Sequence, residues 1–134
     1  IESADITLLN GNLNNIIINE ITESSLDSGP SIYLPAGTYY FEWFAIAYRV
    51  VTHKTILYNL DTSSAILIGS TEKCNSTDLT TSKSIGSGKV VLSANTNLQL
   101  LHACTNTGTT TGFGAAMNAG FDEVYAGINI WKFE

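Results

Sequence analysis

Between Gly37 and Asn59 the chain reads GTYYFEWFAIAYRVVTHKTILYN. Side chains alternate across a strand. Tyr39, Phe41, Trp43, Ala45 and Ala47 therefore share one face, and Tyr40, Glu42, Phe44, Ile46 and Tyr48 share the other. Both faces are apolar. A half-exposed strand turns a polar face to water, so a strand apolar on both sides must be covered twice. One face can build the core of the domain, and the other needs a second layer. No segment keeps a 3.6-residue period, so the chain offers no helix for that task. This feature implies an antiparallel β-sandwich whose second apolar surface meets another copy of the chain.

The remaining segments agree. Residues 4–9 and 13–18 are short apolar runs separated by Asn10-Gly11-Asn12, a hairpin signal. Polar residues 19–31 follow, and Leu34-Pro35-Ala36-Gly37 turns the chain into the long strand. Residues 53–60 and 65–70 flank Asp61-Thr62-Ser63-Ser64, a β-turn signal that predicts a second hairpin. Residues 71–82 are polar and read as an exposed loop, and residues 84–94 alternate weakly around Gly86 and Gly88. Residues 97–104 place Leu98, Leu100, His102 and Cys104 on one side of a strand. Residues 105–120 are rich in Thr, Gly and Asn. A last strand, Glu123 to Phe133, sets Val124, Ala126, Ile128 and Ile130 against Tyr125, Trp131 and Phe133. About eight short strands separated by turns predict an all-β sandwich or jelly roll.

At 134 residues the chain is read as one domain spanning 1–134, able to bury roughly two-thirds of its unfolded surface. It is 44% hydrophobic and only 13% charged, so Ser, Thr and Asn carry its contact with water. A net charge of −6 with scattered basic residues excludes a phosphate-binding surface, and nucleic acid is not an expected partner. No run of 18 apolar residues exists to insert in a membrane as a helix. The chain opens at Ile1, which suggests a processed chain or part of something longer. Cys74 and Cys104, 30 residues apart, are read as free and buried.

Motifs for chemistry are sparse. Gly86-Ser87-Gly88-Lys89 lacks the first Gly and the trailing Ser or Thr of a phosphate loop, and is read as a hairpin turn with a solvated lysine. Gly112-Phe113-Gly114 has no helix after it and is read as a bend near a sheet edge. His102 is read as a satisfied core or interface histidine, and His53 is equally compatible with exposure. No serine sits in a nucleophile elbow. Asp122 and Glu123 are neighbours pointing to opposite faces of a strand, while Asp61, Glu72 and Asp78 are assigned to loops. No Cys/His cluster has metal spacing. Asn75-Ser76-Thr77 is a formal glycosylation sequon, meaningful only on a secreted eukaryotic protein. The expectation is a non-enzymatic protein with no catalytic residues, cofactor or metal.

The combination of these segments resembles the carboxy-terminal domain of bacteriophage tail fibres. The matching residues are Gly37, Tyr39, Ala45, Ala47 and Tyr48, then His53, Lys54, Leu57, Tyr58 and Asn59. They continue through Leu98, His102, Gly112, Phe113 and Gly114 to Glu123, Val124, Tyr125, Ile130, Trp131 and Lys132. The resemblance covers roughly residues 33–132. The strand layout is also similar to the trimeric jelly rolls of C1q and tumour necrosis factor. These resemblances imply a C1q/TNF-like homotrimer at the tip of a viral fibre, extracellular on the virion, that binds a host surface receptor such as a glycan. Residues 1–30 lie outside the match and are either the first strands of the jelly roll or the end of a fibre shaft. A structural virion part working with other virion proteins, or a cellular C1q-like or lectin-like module, are the alternatives. Loops 71–82 and 105–112 are the expected receptor contacts, through Asn75, Thr77, Asn106 and Thr109, because loops vary without disturbing a sandwich. Phe44, Ile46, Tyr48, Tyr125 and Trp131 are the expected trimer interface.

Overall fold

Among the described residues the apolar runs resolve into ten strands. The computed structural model describes residues 2–9, 12–26, 31–106 and 111–133, and the side chains of 20–26, 31–106 and 111–133. In chain order the strands are β1 (Glu2–Leu9), β2 (Asn12–Asn19), β3 (Ser25–Leu26), β4 (Ser31–Leu34), β5 (Gly37–Tyr48), β6 (Val51–Asn59), β7 (Ser64–Cys74), β8 (Thr81–Leu92), β9 (Thr96–Cys104) and β10 (Val124–Phe133). They form two five-stranded sheets in the orders β2-β1-β10-β5-β8 and β3-β4-β9-β6-β7. Every pairing is antiparallel, and no described residue is helical.

The expected architecture is therefore the observed one, with two strands more than the patterning indicated. The short β3 and β4 account for the difference, since two to four residues are too few to show a period. β1 and β2 pair as a hairpin would, and β1 also pairs with β10. Asn10 and Gly11 of the expected turn lie outside the described residues. The β6–β7 hairpin falls where Asp61-Thr62-Ser63-Ser64 placed it.

The inner face of β5 is the centre of the core. Tyr39, Phe41 and Trp43 pack with Ile128 and Ile130 of β10, and against Ile32, Leu34, Leu57 and Leu98 of the opposite sheet. Each large apolar side chain buried this way contributes roughly 1.5–3 kcal/mol. The Tyr39 hydroxyl donates to the Pro35 carbonyl at 2.7 Å, which ties the turn before β5 to its inner face.

Several local readings need correction. Gly86 and Gly88 are not a turn but lie within the 12-residue strand β8. A Cβ at Gly86 would stand 2.0 Å from the Trp43 ring, and one at Gly88 would stand 2.7 Å from Leu67. These glycines make room for large side chains on the inner face. Glu72 lies in β7, so the polar loop shrinks to residues 75–80. Asp122 and Glu123 precede β10, and the Glu123 carboxylate accepts the backbone N–H groups of Met117 and Asn118 at 2.8 and 2.9 Å. Cys74 is free and buried, but Cys104 is free and exposed, because it ends β9 where the sandwich opens. Val124 likewise lies exposed at the start of β10, outside the buried run Ala126, Ile128 and Ile130.

Candidate functional site

Two places in the sandwich bear on function: the outer face of the β2-β1-β10-β5-β8 sheet and one end of the molecule. On the outer face, the pairing of β10, β5 and β8 sets side chains in rows. Gly127, Phe44 and Ile85 form one row, Asn129, Glu42 and Ser87 the next, and Trp131, Tyr40 and Lys89 a third. Phe44, Ile46, Tyr48, Tyr125 and Trp131, the five expected interface residues, are all half-buried in the single chain. Ile46 and Tyr125 meet over Gly114, where an added Cβ would lie 2.3 Å from the Tyr125 ring and 3.1 Å from Ile46. Trp131 stands apart from them across the polar row, tilted against Tyr40 at 5.9 Å between centroids. Ile85, 57% exposed, extends the apolar surface onto the edge strand. Its place depends on the pairing of β5 with β8, which local patterning does not show. Beside Gly127, which has no side chain, the face sinks into a depression of about 570 Å³.

The other place is the end where β5 passes from one sheet to the other. Arg49 (φ 59°) and Val51 (φ 68°) take up left-handed backbone, a genuine outlier for a β-branched residue. The Thr52 N–H donates to the Val50 carbonyl at 2.9 Å and closes a three-residue turn around Val51. Neighbouring loops hold this corner. The Asn106 N–H donates to the Val50 carbonyl, the Tyr48 N–H donates to the Gly112 carbonyl, and the Arg49 guanidinium donates to the Ser76 carbonyl at 3.0 Å. Loop 75–80 and residues 105–106 and 111–114 thus gather at the same end. Of the four expected receptor contacts, Asn75, Thr77 and Asn106 are exposed there, and Thr109 lies outside the described residues. Asn75 and Thr77 also shape their own loop. The Asn75 carbonyl oxygen accepts the Thr77 N–H and hydroxyl at 2.9 and 2.8 Å, while its amide donates to Asp78 at 2.7 Å.

Beneath these loops the interior turns polar. Ala45 and Ala47 replace large side chains on the inner face of β5, leaving space for groups from the opposite sheet. The Trp43 indole N–H donates to the Thr55 hydroxyl at 2.8 Å, and the Ser84 hydroxyl lies 2.8 Å from the same oxygen. Nearer the end, His53 Nδ1 lies 2.8 Å from His102 Nε2, and His53 Nε2 lies 2.8 Å from the Ser82 hydroxyl. The Phe113 ring packs on His102 with centroids 5.5 Å apart. Residues from both sheets and from the 105–123 connection are joined in one chain of contacts. His102 is the satisfied histidine that was expected, whereas His53 is buried to 1% exposure. No described buried side-chain nitrogen or oxygen lacks a partner. Burial pushes His102 down to about 4, with the neighbouring His53 adding to the effect. Burial also lowers His53, against an opposing pull from Glu72. The Ser82–His53–His102 contacts join the two sheets. Among the described residues no group of three His, Cys, Asp or Glu side chains is placed to hold a metal.

Two antiparallel five-stranded sheets with this strand order define a jelly roll, and its fold is similar to that of C1q/TNF-like solved structures. The globular domain of zebrafish complement 1qA protein is similar with a TM-score of 0.64 at 10% identity, covering 100% of this chain and 98% of that one. Murine APRIL at pH 5.0 is similar with a TM-score of 0.69 at 7% identity, covering 98% of both chains. No protein-family model and no curated protein sequence matches the chain.

Proposed function

We propose that this chain is a non-enzymatic, homotrimeric binding head that attaches the tip of a phage tail fibre or spike to the host cell surface. The observation that carries the assembly is the apolar outer face of the β2-β1-β10-β5-β8 sheet, with Phe44, Ile46, Tyr48 and Tyr125 on one side of a polar row and Trp131 on the other. A surface of this kind is costly in water and marks an interaction site. Three copies packed around an axis hide it, and closed symmetry stops further association. The fibre origin rests on the sequence resemblance, several of whose motifs (Ala45, Ala47, Tyr48, His53, His102 and Phe113) gather at the loop end. Receptor contact is assigned to that end, where loop 75–80 meets residues 105–106 and 111–112. Replacing both loops in an intact fibre is expected to abolish adsorption to host cells, and unchanged adsorption would remove the assignment. The second reading, a cellular C1q-like binding module, is supported by likeness in fold to complement 1qA and keeps the same assembly face.

A further inference from the structure

We infer that residues 111–114 are an acid-released flap, held shut by Phe113 packed on a hydrogen-bonded histidine pair that has no room for two protons. The device is separate from the binding reading, which its failure would leave standing. The flap is a turn closed on itself by the Gly114 N–H, which donates to the Thr111 carbonyl at 2.9 Å. It is fastened to the sandwich by the Tyr48 N–H, which donates to the Gly112 carbonyl at 2.9 Å, and by the Phe113 ring on His102. Phe113 is 47% exposed, so it stands between the pair and solvent. Behind it, His53 Nδ1 and His102 Nε2 lie 2.8 Å apart, and one of these two nitrogens must accept. One added proton can be held. His102 Nε2 then donates to His53 Nδ1, and His53 Nε2 donates to the Ser82 hydroxyl. A second would set two N–H groups against each other and put two cations in a site screened from water. Among the described neighbours, Glu72 on β7 and Cys104 on β9 are the register partners of His53, and only Glu72 favours its charge. Lys54, Lys73 and Lys83 each stand one residue along from His53, Glu72 and Ser82, so they point to the outer faces. The Glu123 carboxylate is taken up by the Met117 and Asn118 N–H groups. Swinging Phe113 out admits water to His102, so the open flap binds protons more tightly than the closed one. Protons therefore favour opening as the pH falls below the ordinary histidine value of 6.5.

The test is amide hydrogen exchange at pH 7 and 5, corrected for the intrinsic effect of pH on exchange. Protection of the Tyr48 N–H, which the flap covers, is expected to fall about tenfold at pH 5. It should stay below that of the core amides of Leu57 and Ile128 at both values, which marks the opening as local. In His102→Gln, which cannot take up the proton, the protection should be the same at both values. Equal protection of Tyr48 at both values in the unmodified chain would overturn the flap. So would loosening in His102→Gln as large as in the unmodified chain, or exchange of Tyr48 at the rate of the core. Phe113→Ala, a change at a half-exposed position, gives an independent reading by magnetic resonance titration of His102. Without the covering ring the His102 midpoint is expected to rise by at least about one pH unit, since water reaches the imidazole. An unchanged midpoint would show that Phe113 does not screen the pair, and the flap would fall.

Discussion

At the scale of single residues, His102 couples the loop end to pH. Its folded-state pKa of about 4 lies below the ordinary 6.5, so between those values the unfolded chain binds more protons than the folded one. Its contribution to stability is therefore retained above about 6.5 and is progressively lost as the pH falls towards 4. His102→Gln, which keeps a donor for His53 but does not titrate, is expected to flatten this decline, as read by urea unfolding at pH 7 and 4.5. An equal decline in both proteins would show that the pair does not set it. Gly86 offers a second test. A Cβ there would lie 2.0 Å from the Trp43 ring, so Gly86→Ala must displace a buried indole. A loss of about 1–3 kcal/mol in unfolding free energy is expected, the usual cost of overpacking. A neutral result would mean that the ring has room to move.

At the scale of elements, the corner between β5 and β6 organises the loop end. Arg49 ties the loop 75–80 to this corner through its guanidinium bond to the Ser76 carbonyl and its N–H bond to the Thr80 carbonyl. Arg49→Ala removes an exposed side-chain bond and a guanidinium lying 5.9 Å from the centre of the Tyr48 ring, so global stability is expected to change by less than about 1 kcal/mol. Amide exchange in the loop should nevertheless accelerate, because local opening is governed by local contacts. Unchanged exchange at residues 75–80 would assign the order of the loop to its internal Asn75 and Thr77 bonds instead. The corner also shows why one apolar stretch in the sequence became two strands in different sheets. Residues 37–59 look continuous in composition, and the left-handed backbone at Arg49 and Val51 that divides them has no glycine to announce it.

At the scale of the whole molecule, the proposed trimer puts the outer face at its interface. Phe44→Asp or Ile46→Asp puts a carboxylate into the apolar half of that face and is expected to dissociate the assembly, detected by sedimentation at micromolar concentration. Persistence of the assembled species in both variants would place the interface elsewhere. The two-faced alternation of β5 was legible without a structure because a strand's period of two depends only on the backbone. The same local logic identified the buried run Ala126, Ile128 and Ile130 of β10 and the hairpin at Asp61-Thr62-Ser63-Ser64. The glycines of β8 were misread as a turn because glycine is locally a turn signal. Their real partners, Trp43 and Leu67, are set by strand pairing. The histidine pair was hidden for a like reason, since His53 and His102 lie 49 positions apart and meet only because β6 pairs with β9. By itself, then, the sequence determined the strand periodicity, the all-β class and the division of β5 into two apolar faces, all consequences of short-range geometry. Only the tertiary structure decided which loops share an end, which polar groups are buried together and how the outer face is divided by Glu42, because those depend on contacts between distant segments.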